Sequence, residues 1–579
     1  MPGFGAVDTA EADETSPQRS MIPSSIGLTF ALSRAADALK VTVRWGSYER
    51  RRDEESEEQK NFWQRIPIEA TTVVSVDELH ESDKNRWDWT PIPAHHDVMV
   101  RGLVRDHEDA YTITLFLTNG KLEPKENKDS AWLFQPEIIV EEPAGQPAFI
   151  RRKLPDGLTP TEVEDNIMRM IYREKVEFAV GHGVAVRAEL PDGRWDVALR
   201  ISTEVLPRAE VLRMEPPVID DLAIDMLTLA ETEMGAFGPL LTPLVAEYEN
   251  WIAEKAAYFE DEPEQFREYR QERAVVEAEW LEALERIQAG IALLDANADA
   301  ARAFQFANRA MWLQRIRTIY SSQARQGDRP DLAEIDLPLN RSWRPFQLAF
   351  ILLNLPAMTD PTHPERSSAD PDKLGSADLL WFPTGSGKTE AYLGLTAYTL
   401  AIRRTQGEIG GLDGNAGVAV LMRYTLRLLT LQQFQRATAL IAACEIIRRE
   451  DPQLWGERLF RIGLWVGNRS TPNWTKYSAE AIKQSRGQGW HSGSSIGGSG
   501  TPVQLTHCPW CGSKINPGRN IEVETPEKGR GRTFVVVLKN WTPSIESILD
   551  AQSRKDAHGE VSQVLAGDEG QDCVGGPSR

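Results

Sequence analysis

The run ADLLWFPTGSGKTEAY, from Ala377 to Tyr392, admits very few folds. Asp378 to Phe382 is a short apolar stretch that predicts a buried strand, Pro383 to Gly387 predicts a tight turn, and Thr389 onward carries helical periodicity, with Ala391, Leu395, Tyr398 and Ile402 on one face. Strand, glycine-rich turn and helix in that order read as a phosphate-binding loop. A loop wrapped around a triphosphate must bring backbone N–H groups to the oxygens, and glycine is needed wherever a Cβ would collide. Gly385 and Gly387 meet that need, and Thr384 and Ser386 complete the cradle. Lys388 would place its ammonium on the β and γ phosphates, Thr389 would offer its hydroxyl to Mg²⁺, and the helix N-terminus would face the anion. Phe382 departs from the pattern, standing where a small residue usually opens the motif. The competing reading, a glycine-rich turn with an incidental Gly-Lys-Thr, does not account for the flanking strand and helix.

At 579 residues the chain has room for roughly three or four domains. Its net charge of −21 argues against a protein that coats nucleic acid non-specifically, which needs clustered Lys and Arg. The charge is uneven: residues 401 to 470 hold ten arginines against six acids, so a basic face beside the loop is open to the chain. Four cysteines, Cys444, Cys508, Cys511 and Cys573, are too few for a disulfide framework and fit a reducing compartment. No apolar run approaches a membrane span, and the acidic start lacks the plan of a signal peptide, so a cytoplasmic location is expected.

Residues 1 to 21 read as a disordered leader. Residues 22 to 215 read as a β-rich domain, from the alternation of Val41, Val43 and Trp45, the run Tyr111 to Thr118 closed by Asn119-Gly120, and the stretch Val176 to Val186. Its charge run Arg50 to Lys60 predicts a solvated loop. Asp77-Glu78-Leu79-His80 spells a DExH tetrad, but it lies about 300 residues before the loop, on the wrong side for such an ATPase, and reads as chance. Residues 216 to 335 turn helical around Glu249 to Arg286 and Ala301 to Tyr320, and Trp280, Phe304, Phe306 and Trp312 are expected in a core rather than as base-stacking platforms.

Residues 336 to 480 contain the loop. At Trp343-Arg344-Pro345-Phe346-Gln347 a proline opens the apolar helix Leu348 to Leu355, and Gln347 is placed to read an adenine edge, with a plain helix start as the alternative. After a glycine-rich connection, Gly407 to Gly417, Val418 to Met422 predicts a second buried strand, completing a βαβ unit. In RYTLRLLTLQQFQR, Arg423 to Arg436, the residues Thr425, Arg427 and Gln432 fall where ligands of α/β sheets collect, and their side chains suit phosphodiester contacts, with a solvated helix start as the alternative. Phe460 to Gly467 predicts a third strand. Residues 481 to 530 combine a Gly- and Ser-rich stretch with HCPWCGSKI, in which Cys508 and Cys511 have the spacing and turn residues of half a zinc site; His507 adjoins as a weak third ligand. Cys444 is expected in a core. Residues 531 to 579 form an atypical tail.

These motifs resemble superfamily-2 helicases: PTGSGKTE looks like their motif I, RYTLRLLTLQQ like motif Ia, and WRPFQ like the glutamine-bearing element upstream. More narrowly, MIPSSIGLTF, WRPFQLAFILLNLPAM and a CPxCG insertion are similar to the DrmA helicases of the DISARM anti-phage systems, over roughly Met21 to Lys528. The resemblance implies a multidomain α+β and α/β fold with a RecA-like lobe, Mg-ATP hydrolysis, a DNA track and a partner protein of the same defence system. It also implies nucleotide and metal on Lys388 and Thr389 and DNA backbone on Thr425 and Arg427. The chain departs from the pattern after Thr389: no DExH, no motif III and no second lobe follow, and Asp568-Glu569-Gly570-Gln571 lacks both the histidine and a preceding apolar strand. The expectation is an N-terminal portion with an incomplete parallel sheet, truncated or shifted in reading frame near Thr533, that binds ATP without turning it over. The alternative expectation is a non-catalytic scaffold that binds a nucleotide or a partner.

Overall fold

The structure is a computed structural model. It describes residues 23–52, 61–81, 86–107, 110–152, 163–208, 215–261, 266–267, 269–328, 330–366, 375–382, 385, 387–424, 427–466, 471–472, 475–487, 501–524, 534–538 and 562–565. The expected leader, Thr384, Ser386, Thr425, Cys573 and the Asp568 to Gln571 tetrad lie outside these residues. The chain divides into two compact units, Met1–Leu212 with Pro263–Val276, and Arg213–Glu262 with Glu277–Arg579.

In the first unit the strands are β1 (Ser25–Ser33), β2 (Ala38–Arg52), β3 (Asn61–Ser75), β4 (Arg86–Trp89), β5 (Val98–Asp106), β6 (Ala110–Asn119), β7 (Phe134–Glu141), β8 (Phe149–Ile150), β9 (Ala179–His182), β10 (Ala185–Glu189), β11 (Val197–Ala198) and β12 (Arg200–Glu204), with the helices α1 (Val76–Glu81) and α2 (Val163–Ile171). They form two antiparallel sheets, ordered β11-β8-β1-β6-β5-β4 with β9 also on β1, and β10-β12-β7-β2-β3. The period-two alternation is realised directly: Val41, Val43 and Trp45 of β2 and Ile113, Leu115 and Leu117 of β6 are buried in one core. The register of β1 on β6 runs from Ser25 opposite Thr118 to Ser33 opposite Ala110. Arg50 to Arg52, expected in a loop, instead extend β2 against Asn61, Phe62 and Trp63 of β3. A hairpin pairs its residues out to the turn even when they are charged, because the backbone ladder does not depend on side-chain polarity. The Asp77 to His80 tetrad lies in α1 of this unit, where Leu79 is fully buried.

The second unit contains α3 (Met226–Glu231), α4 (Phe237–Asp261), the larger part of α5 (Arg270–Ala296), α6 (Ala298–Gln326), α7 (Leu332–Ile335), α8 (Pro345–Thr359), α9 (Lys388–Gln406) and α10 (Arg427–Glu450). Helix α6 is central. It packs against α3, α9 and α10, and its run of small residues, Ala300, Ala303, Ala307 and Ala310, lets neighbouring helices approach closely. Its start is capped by the Asn297 carboxamide oxygen, which accepts from the backbone of Asp299 and Ala300 at 3.0 Å each. Helix α4 is capped from a distance: the Asp295 carboxylate accepts from the backbone N–H groups of Gly235, Phe237 and Gly238 at 2.9 to 3.1 Å. Phe304 and Phe306 are buried in this core, and Trp280 stacks on Phe259, so both patches serve packing as expected.

The parallel sheet is where structure and sequence part. Asp378 to Phe382, Val418 to Met422 and residues 460–466 run without helix, yet among the described residues none of the three joins a strand ladder. Leu379 is 81% exposed, Trp381 68%, Val418 and Leu421 78% each, and Trp465 95%. An apolar run becomes a buried strand only when neighbours supply both hydrogen bonds and a covering face. Each segment is covered only in part: Phe382 by Phe346, Met422 by the helical core, and Ile462 and Leu464 by Phe434, Ile482 and Leu505. The glycine-rich connection holds its own two-residue pairing, Glu408–Ile409 with Leu412–Asp413. Two strands of the tail, Phe534–Leu538 and Ser562–Leu565, form a small antiparallel sheet with Ile521–Glu524 of the preceding segment.

Candidate phosphate-binding site

The two glycines that the loop reading requires are both left-handed, Gly385 at φ 86° and Gly387 at φ 96°. For any L side chain that conformation is strained. A Cβ on Gly385 would meet no atom within 4 Å, so the backbone there borders open space, as a phosphate cradle needs. Gly387 is the N-cap of α9, and the helix begins on Lys388, so its first N–H groups face the loop. The Lys388 ammonium folds back to donate to the carbonyl of Phe382.

Gln347 is 4% exposed and joins two elements 40 residues apart. Its Oε1 accepts from the backbone N–H of Arg344 at 2.8 Å, closing the start of α8, and its Nε2 donates to the carbonyl of Gly387 at 2.7 Å. Both ends of the amide are therefore engaged by protein, and contact with an adenine edge would require exchanging one of them. Beside it, Phe346 stacks on Phe382 with centroids 4.1 Å apart. That stack accounts for the unusual residue at the head of the loop, since an aromatic ring at position 382 has a partner waiting in the WRPFQ element.

The helices on either side of the loop are joined by buried polar pairs. Thr359 of α8 and Tyr398 of α9 share a hydroxyl hydrogen bond of 2.6 Å, and Tyr398 is completely buried, which drives its phenol well above the usual value of 10.0. Trp343 donates from Nε1 to Asn308 of α6 at 2.7 Å and lies over Gly394, where a Cβ would come within 2.7 Å of the indole. On α9 the buried face comprises Ala391, Gly394, Tyr398 and Ile402, with Leu393, Ala397 and Ala401 also buried, while Leu395 is half-buried. The segment entering the loop is held by Arg286 of α5, whose guanidinium donates to both carboxylate oxygens of Asp378 at 2.6 and 2.8 Å and lies 2.9 Å from Glu365. Hydrogen bonding to Asp378 holds the Arg286 guanidinium above its usual range.

One group escaped the sequence reading altogether. Glu390, in the first turn of α9, takes Arg315 of α6 and Arg436 of α10 on a single oxygen, Oε1. Its other oxygen, Oε2, is buried, makes no hydrogen bond, and sits 3.4 Å from where a Cβ on Gly387 would be. The acid beside Gly-Lys-Thr is visible in the sequence; its cationic partners, 75 and 46 residues away, are not.

Of the residues expected to meet DNA, Arg427 opens α10 and Gln432 lies exposed on it. Cys508 and Cys511 lie together and buried. The Cys508 sulfur accepts from the N–H groups of Trp510 at 3.2 Å and Cys511 at 3.3 Å, Gly512 takes φ 73°, and the turn closes with Gly512 N–H donating to the Cys508 carbonyl at 3.0 Å. Such N–H to sulfur bonds suit Cys508 as a thiolate ligand, while the Cys511 sulfur donates to the Ser513 hydroxyl at 3.3 Å. Burial pushes the Cys508 thiol up. His507 pairs in a bridge with Lys514, and among the described residues no group of three or more His, Cys, Asp or Glu side chains converges to hold a metal. Cys444 is fully buried in the helical core.

No protein-family model matches the chain. Over 485 residues, 80% of its length, the chain is 28% identical to the DISARM protein DrmA of Bacillus paralicheniformis, and it spans 40% of that protein. Among the described residues no helix is long and apolar enough to cross a membrane.

Proposed function

For a chain that is DrmA-like over 80% of its length, we propose that the function is Mg-ATP binding within a superfamily-2 DNA helicase or translocase of anti-phage defence. One observation carries the reading: two left-handed glycines lead directly into the N-terminus of α9 at Lys388, with open space in front of Gly385. In this reading Thr384, Gly385, Ser386 and Gly387 cradle the phosphates, Lys388 neutralises their charge and Thr389 ligates Mg²⁺. Gln347 fixes the loop from behind through Gly387, with an adenine contact as its second role.

The three extended segments ahead of α9, ahead of α10 and after α10 are the strand positions of a RecA-like lobe. Thr425, Arg427 and Gln432 contact the DNA backbone. Cys508 and Cys511 supply half of a zinc site, and a protein of the same defence system is the expected partner. ATP supplies the free energy for movement on DNA; the residues of this chain bind and orient it.

Binding of a fluorescent ATP analogue with Mg²⁺, and ATP turnover with and without DNA, test the proposal. Lys388→Ala should reduce nucleotide affinity at least tenfold, by loss of a charge-assisted contact of about 1.5–3 kcal/mol. Unchanged affinity refutes the loop assignment. Binding without DNA-stimulated turnover would favour a nucleotide-binding scaffold, and unchanged DNA affinity in Arg427→Ala would favour a protein substrate over DNA.

A further inference from the structure

Glu390 presents an electrostatic problem. A carboxylate in the first turn of a helix favours the helix when the N-terminus is free, but it opposes a second anion brought to the same place. Glu390 Oε2 lies beside Gly387, within the neck of the candidate phosphate loop, and is buried without a hydrogen bond. A triphosphate is tolerated there only while the Glu390 charge is balanced. Two arginines balance it, and they are unlike. Arg315 is also fixed by a hydrogen bond to the Asn340 carbonyl at 3.2 Å and stands 3.5 Å from Glu390 Oε1, the longer contact. Arg436 makes the close contact, from α10, and its side chain is 32% exposed. It lies four residues after the exposed Gln432, one helical turn along the same face.

We propose that Arg436 is an exchange residue and Glu390 the positioning residue it controls: Arg436 either neutralises Glu390 behind the phosphate loop or turns to a nucleic-acid phosphate held along α10. When a backbone phosphate takes the guanidinium, Glu390 keeps only the longer Arg315 contact, its charge beside Gly387 is less well balanced, and nucleotide binding weakens. By linkage, nucleotide weakens nucleic-acid binding by the same factor. The link is an electrostatic antagonism that resides in one ion pair. It rests on the reading of the loop as a nucleotide site and of α10 as a nucleic-acid face.

The test is titration of the full chain with a fluorescent ATP analogue and Mg²⁺, with and without a saturating single-stranded oligonucleotide. In the wild type the oligonucleotide should weaken nucleotide binding about fivefold or more, at the lower end of typical coupling between sites. Glu390→Gln should cut the antagonism to less than about twofold, because no carboxylate charge remains to be uncovered beside Gly387. Arg436→Met should weaken nucleotide binding without any oligonucleotide, Arg436→Lys should largely restore it, and Glu390→Gln added to Arg436→Met should also restore it. A purely structural role would show the double variant no better than Arg436→Met, and that result overturns the proposal. Persistence of the antagonism in Glu390→Gln, or its absence from the wild type, overturns it equally. Lys388→Ala separates the underlying reading: if it binds nucleotide as well as the wild type, the loop assignment has failed and the exchange falls with it. If Lys388→Ala loses binding while Glu390→Gln behaves as the wild type does, only the exchange has failed.

Discussion

Replacing Thr359 by valine keeps the side-chain shape and removes one hydroxyl, and the structure dictates how that loss divides. The Thr359 hydroxyl donates to the Leu355 carbonyl at 2.7 Å, so its own proton is committed and Tyr398 must be the donor in the 2.6 Å bond between them. Thr359→Val therefore strands a phenolic O–H in a fully buried site, at about 2–3 kcal/mol, whereas Tyr398→Phe leaves Thr359 still bonded to Leu355 and costs about 1 kcal/mol. With both changes no orphan donor remains, and the double variant should be at least about 1 kcal/mol more stable than the sum of the single losses. Amide exchange of the α9 backbone reads these as local opening equilibria, where 1.4 kcal/mol is about tenfold. Thr359→Val should accelerate α9 exchange about thirtyfold and Tyr398→Phe about fivefold. If Tyr398→Phe proves as costly as Thr359→Val, or if the two losses add, the assignment of the donor is wrong and the pair does not join α8 to α9 as described.

Gly387→Ala forces a left-handed alanine, about 1–2 kcal/mol, and brings its Cβ within 2.7 Å of Gln347 Nε2, breaking a hydrogen bond worth about 1 kcal/mol. Nucleotide titration should show affinity reduced more than tenfold. Arg286→Ala leaves Asp378 and Glu365 without their cation and should destabilise the segment entering the loop by about 2–3 kcal/mol, read as faster proteolysis or amide exchange within residues 375–382. Because Tyr398 holds its proton more tightly folded than unfolded, its contribution is fully present below pH 10 and is lost as pH rises above that value. Denaturation at rising alkaline pH should show a steeper loss of stability in the wild type than in Tyr398→Phe.

What could be read from the chain directly was whatever neighbouring residues decide among themselves. Gly385 and Gly387 adopt the left-handed conformation that their place in the loop requires, and the alternation in β2 and β6 sorts Val41, Val43 and Ile113 inward without reference to anything distant. The helices followed from periodicity for the same reason. What escaped reading depends on partners far along the chain. Phe382 looked anomalous until Phe346 was found stacked on it, Gln347 looked free to read a base until Gly387 was found on its amide, and Glu390 gave no sign of its two arginines. Trp381 and Val418 carry β-forming side chains, but strand formation needs a neighbouring strand, a condition no local pattern contains.

The exposed tryptophans of those extended segments also give the molecule an optical signature. Trp381 stands next to Phe382 at the threshold of the loop, and Trp465 is almost wholly in water, whereas Trp45 and Trp343 are shut away in their cores. Indole emission shifts to the red and becomes accessible to acrylamide when the ring is wet. The chain's fluorescence should therefore contain a quenchable, long-wavelength fraction to which Trp381 and Trp465 contribute alongside the exposed Trp63 and Trp195, and a protected fraction from the cores. Removing Trp381 alone isolates the part of that signal that stands two residues from the phosphate loop, a label placed by the sequence itself for following what arrives there.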